Sequence, residues 1–203
     1  MKIRVVGFSV LGAGVLVAAG LGLFAFDFPR LRSNEMAPSL RARDLLLACR
    51  VCGRPEHGDV VFFEPPDADG PLIARRVIAG PGDKIEIRKG RILVNDRPLF
   101  AEKGALVQLS GVDDVDNGPR TFDSSFETLG KHRYQVLIDA RTELSSSRAP
   151  ETLRDEYFVV ADRRTFVRDS RDFGPIPRSH IRAIAVRVLS AGDDNAARQT
   201  RLP

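Results

Sequence analysis

Three short stretches of the chain hold the polar residues that could do chemistry. Residues 33–40 read Ser-Asn-Glu-Met-Ala-Pro-Ser-Leu, and two further stretches cover residues 74–83 and 161–164. Glu35 could attack only through an acyl anhydride, or act as a general base on water with Arg75 stabilising an oxyanion. Arg75 cannot be a base, because the pKa of a guanidinium exceeds about 12. These residue types favour an ion pair between Glu35 and Arg75.

Other nucleophiles have weaker support in the sequence. Ser33 and Ser39 flank Glu35, but neither has a lysine at a matching base position. His132 and His180 fit no arrangement of serine, histidine and aspartate. A serine nucleophile displaced from position 35 therefore remains the alternative hypothesis.

The only two cysteines, Cys49 and Cys52, form one C-x-x-C. Zinc needs four ligands, or three and a water, and no second Cys/His pair completes such a set, even with His57 downstream. A local disulfide or two packed thiols is the favoured interpretation. The sequence predicts no metal and no cofactor.

Length and charge limit the class of protein. The chain has 203 residues, of which 43% are hydrophobic. This length fits a membrane anchor and one domain, or one domain with an insertion. Its net charge of +4 is spread along the chain without a basic cluster interleaved with aromatics, so a nucleic-acid partner is not predicted. A basic surface near anionic lipid is the simpler interpretation.

An uncharged apolar run covers residues 5–26, after Lys2 and Arg4. As a helix it would reach about 33 Å, enough to cross a bilayer. A cleaved signal peptide would have a shorter apolar stretch and a small-x-small cleavage site. The sequence therefore predicts a membrane anchor over residues 1–28, with lipid contact through residues 5–26.

Beyond the anchor, the pattern predicts an all-β domain over residues 29–190. Short apolar runs bounded by glycine and proline indicate strands at residues 44–51, 58–64, 72–79, 134–139, 157–161 and 181–189. Alternating residues around Lys89 and Gly90 predict a hairpin. The pattern weakens in residues 101–153, which we interpret as an insertion with a small sheet of its own. The polar tail, residues 191–203, is predicted to be disordered.

Three blocks in this order resemble bacterial type I signal peptidases, of the signal-peptidase/LexA-like serine peptidases. Residues 33–40 resemble the family's Ser-x-Ser-Met-x-Pro-Thr-Leu. Arg75-Arg76-Val77-Ile78 with Pro81-Gly82-Asp83 resembles its Lys-Arg-Val-x-Gly-x-Pro-Gly-Asp. Residues 161–164 and 169–174 resemble its Gly-Asp-Asn-Arg and Asp-Ser-Arg-x-x-Gly. The resemblance implies coiled antiparallel sheets with a long groove, anchored by one transmembrane helix on the outer side of the cytoplasmic membrane, and an activity that removes signal peptides from preproteins.

The departures from the family pattern fall on its catalytic residues. Glu35 stands at the nucleophilic serine, Arg75 at the general-base lysine, and Val167 at the hydroxyl that orients that lysine. Ser33 matches the oxyanion-hole hydroxyl. The supporting residues that match the pattern are Met36, Pro38, Arg76, Asp162, Arg164, Asp169 and Arg171. The sequence thus predicts a family member that has lost its catalytic dyad, with a contact between Glu35 and Arg75, and with signal peptides or preproteins as candidate partners.

Overall fold

The computed structural model describes residues 24–66, 70–109, 119–142 and 144–192. The strands in these ranges are β1 Phe26–Asp27, β2 Leu45–Cys49, β3 Val60–Phe63, β4 Ile73–Ala79, β5 Lys84–Arg88, β6 Arg91–Val94, β7 Arg97–Pro98, β8 Phe100–Lys103, β9 Val107–Leu109, β10 Arg120–Leu129, β11 His132–Asp139, β12 Arg148–Thr152, β13 Glu156–Val160, β14 Ile176–Pro177 and β15 Ile181–Ser190. A short helix, α1, covers Ser170–Phe173, a 3-10 turn covers Arg178–His180, and residues 24 and 25 are also helical.

The strands form three sheets. The main sheet has the order β1-β2-β15-β3-β4-β13-β14, and a four-stranded sheet has the order β12-β5-β6-β7. A third sheet joins β11, β10 and β8, with β9 also paired to β10. Every pairing between these strands is antiparallel. The all-β prediction is therefore confirmed for the described part of the chain.

The predicted strands agree with β2, β3, β4, β11, β13 and β15 to within two residues at either end. The predicted hairpin is β5 and β6, which pair from Ile85 with Val94 to Arg88 with Arg91. Lys89 and Gly90 both have positive φ, 47° and 75°, the backbone that a two-residue turn between twisted strands requires.

The region of weak pattern contains more regular structure than the sequence indicated. β10 is ten residues long, and it pairs along eight residues with β11. Its alternation is obscured because Asp123, Ser124 and Glu127 stand among its inward and outward positions. The small sheet expected for the insertion is present, but β12 from the same region pairs instead with β5.

The predicted anchor lies outside the described residues, apart from its last positions. Phe26 already belongs to β1, and it pairs with Cys49 of β2. No helix in the described ranges is long and apolar enough to span a bilayer. Residues 110–118 of the predicted insertion and the tail from residue 193 onward also lie outside those ranges.

Cys49 and Cys52 form a disulfide, which was one of the two predicted states. The disulfide links the last residue of β2 to the turn that follows it. Arg50 lies between the two cysteines; its main-chain N–H donates to the Ala25 carbonyl at 2.8 Å, and its Nε donates to Asp27 at 2.6 Å. The disulfide therefore lies where the chain enters the main sheet from the predicted anchor.

The small sheet is fixed to the third sequence block. The N–H of Leu137 on β11 donates to the Asp162 carbonyl at 2.9 Å, and the N–H of Arg164 donates to the Leu137 carbonyl at 2.7 Å. Leu137 also packs with Ala37, Leu109 and Phe122 in a buried cluster. The small sheet thus contacts both the first and the third block.

Candidate functional site

Residues 33–40 form an irregular turn held by apolar anchors. Met36 and Leu40 are buried in the core cluster that lies on β2, β3 and β15, whereas Ala37 is buried against the small sheet. Pro38 is half-buried after a cis peptide bond. Since the anchors point inward on both sides, Glu35 is held at the surface, with 31% of its side chain exposed.

Arg75 lies on β4 with only 3% of its side chain exposed. Its Nη1 donates to Glu35 Oε2 at 3.1 Å, so the predicted contact is present. Nη1 also donates to the Ala74 carbonyl at 2.7 Å, and Nε and Nη2 both donate to the Arg168 carbonyl. The guanidinium is therefore satisfied by one carboxylate and two main-chain oxygens, which offsets the cost of its burial.

Glu35 and Arg75 both line a cleft of about 320 Å3. The other described residues that line it are 29–33, 36, 62 and 71–74. Ser33 is exposed and lies in the same cleft as Glu35. The N–H of Arg163 donates to the Glu35 carbonyl at 3.1 Å, which fixes the first block to the third.

Arg76 and Asp162 form a fully buried ion pair behind the cleft. Nε and Nη2 of Arg76 donate to the two carboxylate oxygens at 2.8 and 2.6 Å. Nη1 donates to the Gly58 carbonyl, and Nη2 also donates to Ser39 Oγ at 3.3 Å. Burial by itself lowers the pKa of Arg76, but the charge and the hydrogen bonds of the Asp162 carboxylate raise it by more, so the net shift of the Arg76 pKa is upward. Ser39 is thus held by a permanent cation.

Arg164 belongs to a second buried network, with Glu127 of β10. Arg164 Nη2 and the hydroxyl of Tyr134 both donate to Glu127 Oε2. Burial lowers the pKa of Arg164, and the Glu127 carboxylate outweighs it by raising that pKa. Burial, together with the Glu127 charge, raises the pKa of Tyr134, whose ring lies 4.1 Å from the guanidinium carbon of Arg76. This ring joins the two networks.

Asp169 and Arg171 form an ion pair that links α1 to Arg164 in the third block. Asp169 caps α1 by accepting from the N–H of Arg171 at 3.0 Å, and it also accepts from the Ala161 N–H. The Arg171 side chain binds both oxygens of Asp169 and donates to the Arg164 carbonyl. Val167 is buried among the residues that pack on Met36, one position before the Arg168 carbonyl that holds Arg75.

The cleft therefore brings Ser33, Glu35, Met36 and Arg75 together. The other predicted site residues do not line it: Pro38, Arg76, Asp162, Arg164, Val167, Asp169 and Arg171. None of the described residues that line the cleft is a lysine or a histidine, so Ser33 has no neutral nitrogen base there. A guanidinium cannot accept a proton, and Glu35 already accepts a hydrogen bond from it. In this cleft, the nucleophile and base positions of the family pattern thus hold an ion pair.

Sequence reasoning missed several contacts that shape the site. The carbonyls of Ala74 and Arg168 are main-chain groups, for which a sequence has no residue signal. Glu127 and Tyr134 were not identified as partners of Arg164 and Arg76, because they lie in the region of weak pattern. A buried arginine in need of a carboxylate was the one available hint.

Comparisons with known proteins agree with the three blocks. The profile of the family described as signal peptidase, peptidase S26, matches residues 4–189. Signal peptidase I of Leptolyngbya laminosa is 29% identical over 63% of this chain and 66% of its own length. Probable signal peptidase I-2 of Synechocystis is 30% identical over 82% of this chain and 64% of its own length. The chain spans slightly less than two thirds of both relatives.

Among solved structures, a signal peptidase I from Enterococcus faecalis is similar at 21% identity over 68% of this chain and 98% of the other. The TM-score of this match is 0.35, too low to support an argument on the fold.

Proposed function

The chain belongs to the signal peptidase family, peptidase S26, and we propose that it is a member without peptidase activity whose cleft still binds a peptide. One observation supports this most strongly. Arg75, at the position that the resemblance assigns to the general-base lysine, is buried and donates to Glu35, which occupies the nucleophile position. A lysine in an apolar site can lose its proton, whereas an arginine keeps it.

The pair also explains why both positions differ together. A lone arginine on β4 would be a buried charge without a carboxylate, and a lone Glu35 would lose its hydrogen bond. Val167 fits the same account, because no lysine amine remains that needs a hydroxyl to orient it. Together, the three residues form a stable replacement for a Ser–Lys site, and neither Arg75 nor Val167 can take a proton from an attacking hydroxyl.

Peptide binding is proposed because the cleft is open and mostly apolar. A groove that takes an extended chain beside a strand binds it through main-chain hydrogen bonds, which do not depend on a nucleophile. The candidate ligands are signal peptides or the preproteins that contain them. This part of the proposal rests on the family and on the cleft that runs along residues 71–75.

We also propose that residues 5–25, the part of the predicted span that precedes β1, anchor the chain in the cytoplasmic membrane, with the β domain on its outer side. The length and apolarity of this run support a bilayer span. The disulfide between Cys49 and Cys52 supports an oxidising compartment for the domain, because such bonds persist outside the cytosol.

The test compares four full-length proteins in detergent, each incubated with a preprotein. They are the unaltered chain, Glu35→Ser, Glu35→Ser/Arg75→Lys, and Glu35→Ser/Arg75→Lys/Val167→Ser. The first two should leave the preprotein intact, because a hydroxyl without a base does not attack an amide. Cleavage only in the variants that contain the Arg75→Lys change would support the proposal. Cleavage by the unaltered chain would refute it, and would favour a displaced serine such as Ser33.

A further inference from the structure

Strand β4 has an open edge beside Glu35. β3 pairs with it from Ile73 to Arg76, whereas the pairing with β13 on the other side ends at Arg76. Ile73, Ala74 and Arg75 therefore have a strand on one side and the cleft on the other. An extended peptide that enters the cleft would lie along this edge.

The main-chain groups of Ala74 face that opening. The main-chain N–H of Val77 donates to the Asp59 carbonyl, so the main-chain groups of Val77 point toward β3. Alternate residues of a strand form main-chain hydrogen bonds with the same neighbour. The main-chain groups of Arg75 therefore also point toward β3, and those of Ala74 point toward the cleft. Ala74 is thus the residue through which a peptide strand would pair with β4.

Arg75 ends this open edge. β13 pairs with β4 from Arg76 onward, and Arg75 Nη1 donates to the Ala74 carbonyl at 2.7 Å and takes one of its two lone pairs. A peptide that pairs with Ala74 therefore meets the guanidinium and cannot continue along β4. The end of the edge is instead a buried cation, whose one carboxylate partner is Glu35. A chain that stops here with its own carboxylate would find a matching charge.

Burial and charge at the cleft agree with such a ligand. The walls are mostly apolar and include Leu31, Phe62 and Ile73, while Arg30 and Arg32 add positive charge. Glu35 has 31% of its side chain exposed, against 3% for Arg75, so the carboxylate has room to turn away while the guanidinium stays fixed.

We propose that the cleft recognises the free C-terminal carboxylate of an extended apolar peptide, which takes the place of Glu35 on Arg75. This inference rests on the proposed peptide-binding function and adds the class of ligand to it. In the unliganded protein, Glu35 is an internal competitor that neutralises the buried cation. The ligand is then a peptide that has already been cut, and an uncut chain that runs through the site would bind less tightly.

The test uses one fluorescently labelled peptide of alternating leucine and alanine in two forms, with a free C-terminal acid or a C-terminal amide. Binding to the full-length protein in detergent is measured by anisotropy. The acid should bind about tenfold more tightly than the amide, since a charge-assisted hydrogen bond is lost in the amide. Glu35→Gln should strengthen acid binding and leave amide binding unchanged, because the internal competitor has lost its charge.

Glu64→Gln is the matched control, since Glu64 pairs with the exposed Arg182. It should change neither affinity. Equal binding of acid and amide would overturn the carboxylate preference and leave peptide binding intact. Failure of both peptides to bind would overturn the peptide-binding function itself. Weaker acid binding by Glu35→Gln would also contradict the proposal, because it would make Glu35 a direct ligand contact.

Discussion

The guanidinium of Arg75 donates two hydrogen bonds to the main-chain carbonyl of Arg168, from Nε at 3.1 Å and from Nη2 at 2.7 Å. The two residues lie 93 positions apart, on β4 and on the segment before α1. This contact fixes the segment that contains Val167 against the end of the cleft. A planar guanidinium can bind one carbonyl with two nitrogens and a carboxylate with the third, and an amine cannot.

Arg75→Lys should destabilise the protein by about 1–2 kcal/mol, although it keeps the charge, because the shorter amine loses hydrogen bonds to Arg168 and Ala74. Urea unfolding of the full-length protein in detergent measures this. Arg182→Lys is the control, since Arg182 binds Glu64 with two nitrogens at an exposed site. It should cost about 0.5 kcal/mol or less. Equal costs for the two variants would show that the buried contacts of Arg75 add no stability.

Asp162→Asn should destabilise the protein far more than the loss of an exposed ion pair does. Arg76 and Asp162 are both fully buried, and removal of one charge leaves the other uncompensated at a cost of about 3–5 kcal/mol. Asp96→Asn removes an exposed partner of Lys84 and should cost less than about 1 kcal/mol. The free energy of unfolding in urea distinguishes the two. A loss below about 1 kcal/mol for Asp162→Asn would contradict a structural role for this pair.

Asp83 should make stability depend on acid pH. Burial raises the pKa of Asp83, but donors from Gly80, Asn95 and His57 outweigh burial, and the net shift is below the ordinary value of 3.8. A carboxyl whose pKa is lower in the folded state adds stability above the unfolded pKa, and that stability is lost as pH falls through the folded pKa. The difference in unfolding free energy between the unaltered protein and Asp83→Asn should therefore shrink from pH 6 to about pH 3. A constant difference would mean that ionisation of Asp83 contributes nothing.

The disulfide should stabilise the start of the domain modestly, because it closes a loop with a sequence separation of only 3. Chain entropy for so short a loop gives about 2 kcal/mol. Dithiothreitol should lower the urea midpoint of the unaltered protein and leave Cys49→Ser/Cys52→Ser unchanged. Hydrogen exchange at the Arg50 N–H, which donates to Ala25, should become faster in the reduced protein and in the double variant. An unchanged exchange rate of the Arg50 N–H would show that the disulfide does not stabilise the hydrogen bond to Ala25.

The sequence predicted the strands that run into the core, because their apolar residues are flanked by glycine and proline. β3 and the hairpin of β5 and β6 are examples, and they lie where the pattern indicated. The contact between Glu35 and Arg75 could also be predicted, since two opposite charges at facing positions of one fold have a clear reason to meet.

Three features of the structure were not predicted from the sequence, because no local pattern of residues indicates them. β10 has polar residues on a face that the core only partly covers, so its alternation is weak although it pairs with three other strands. Its Glu127 is buried by Arg164, a partner 37 positions away that no local pattern indicates. The carbonyls that hold Arg75 are equally invisible in a sequence, because every residue has one.

The central claim is that Arg75 and Glu35 leave the cleft unable to cut a peptide. The most direct measurement is mass spectrometry of a preprotein after incubation with the unaltered full-length chain in detergent. A parallel sample with an active signal peptidase is the positive control. The account predicts that only the intact preprotein mass is recovered with this chain, while the active enzyme produces the two fragments. Fragments of the same masses from the unaltered chain, absent when Ser33 is replaced by alanine, would contradict it.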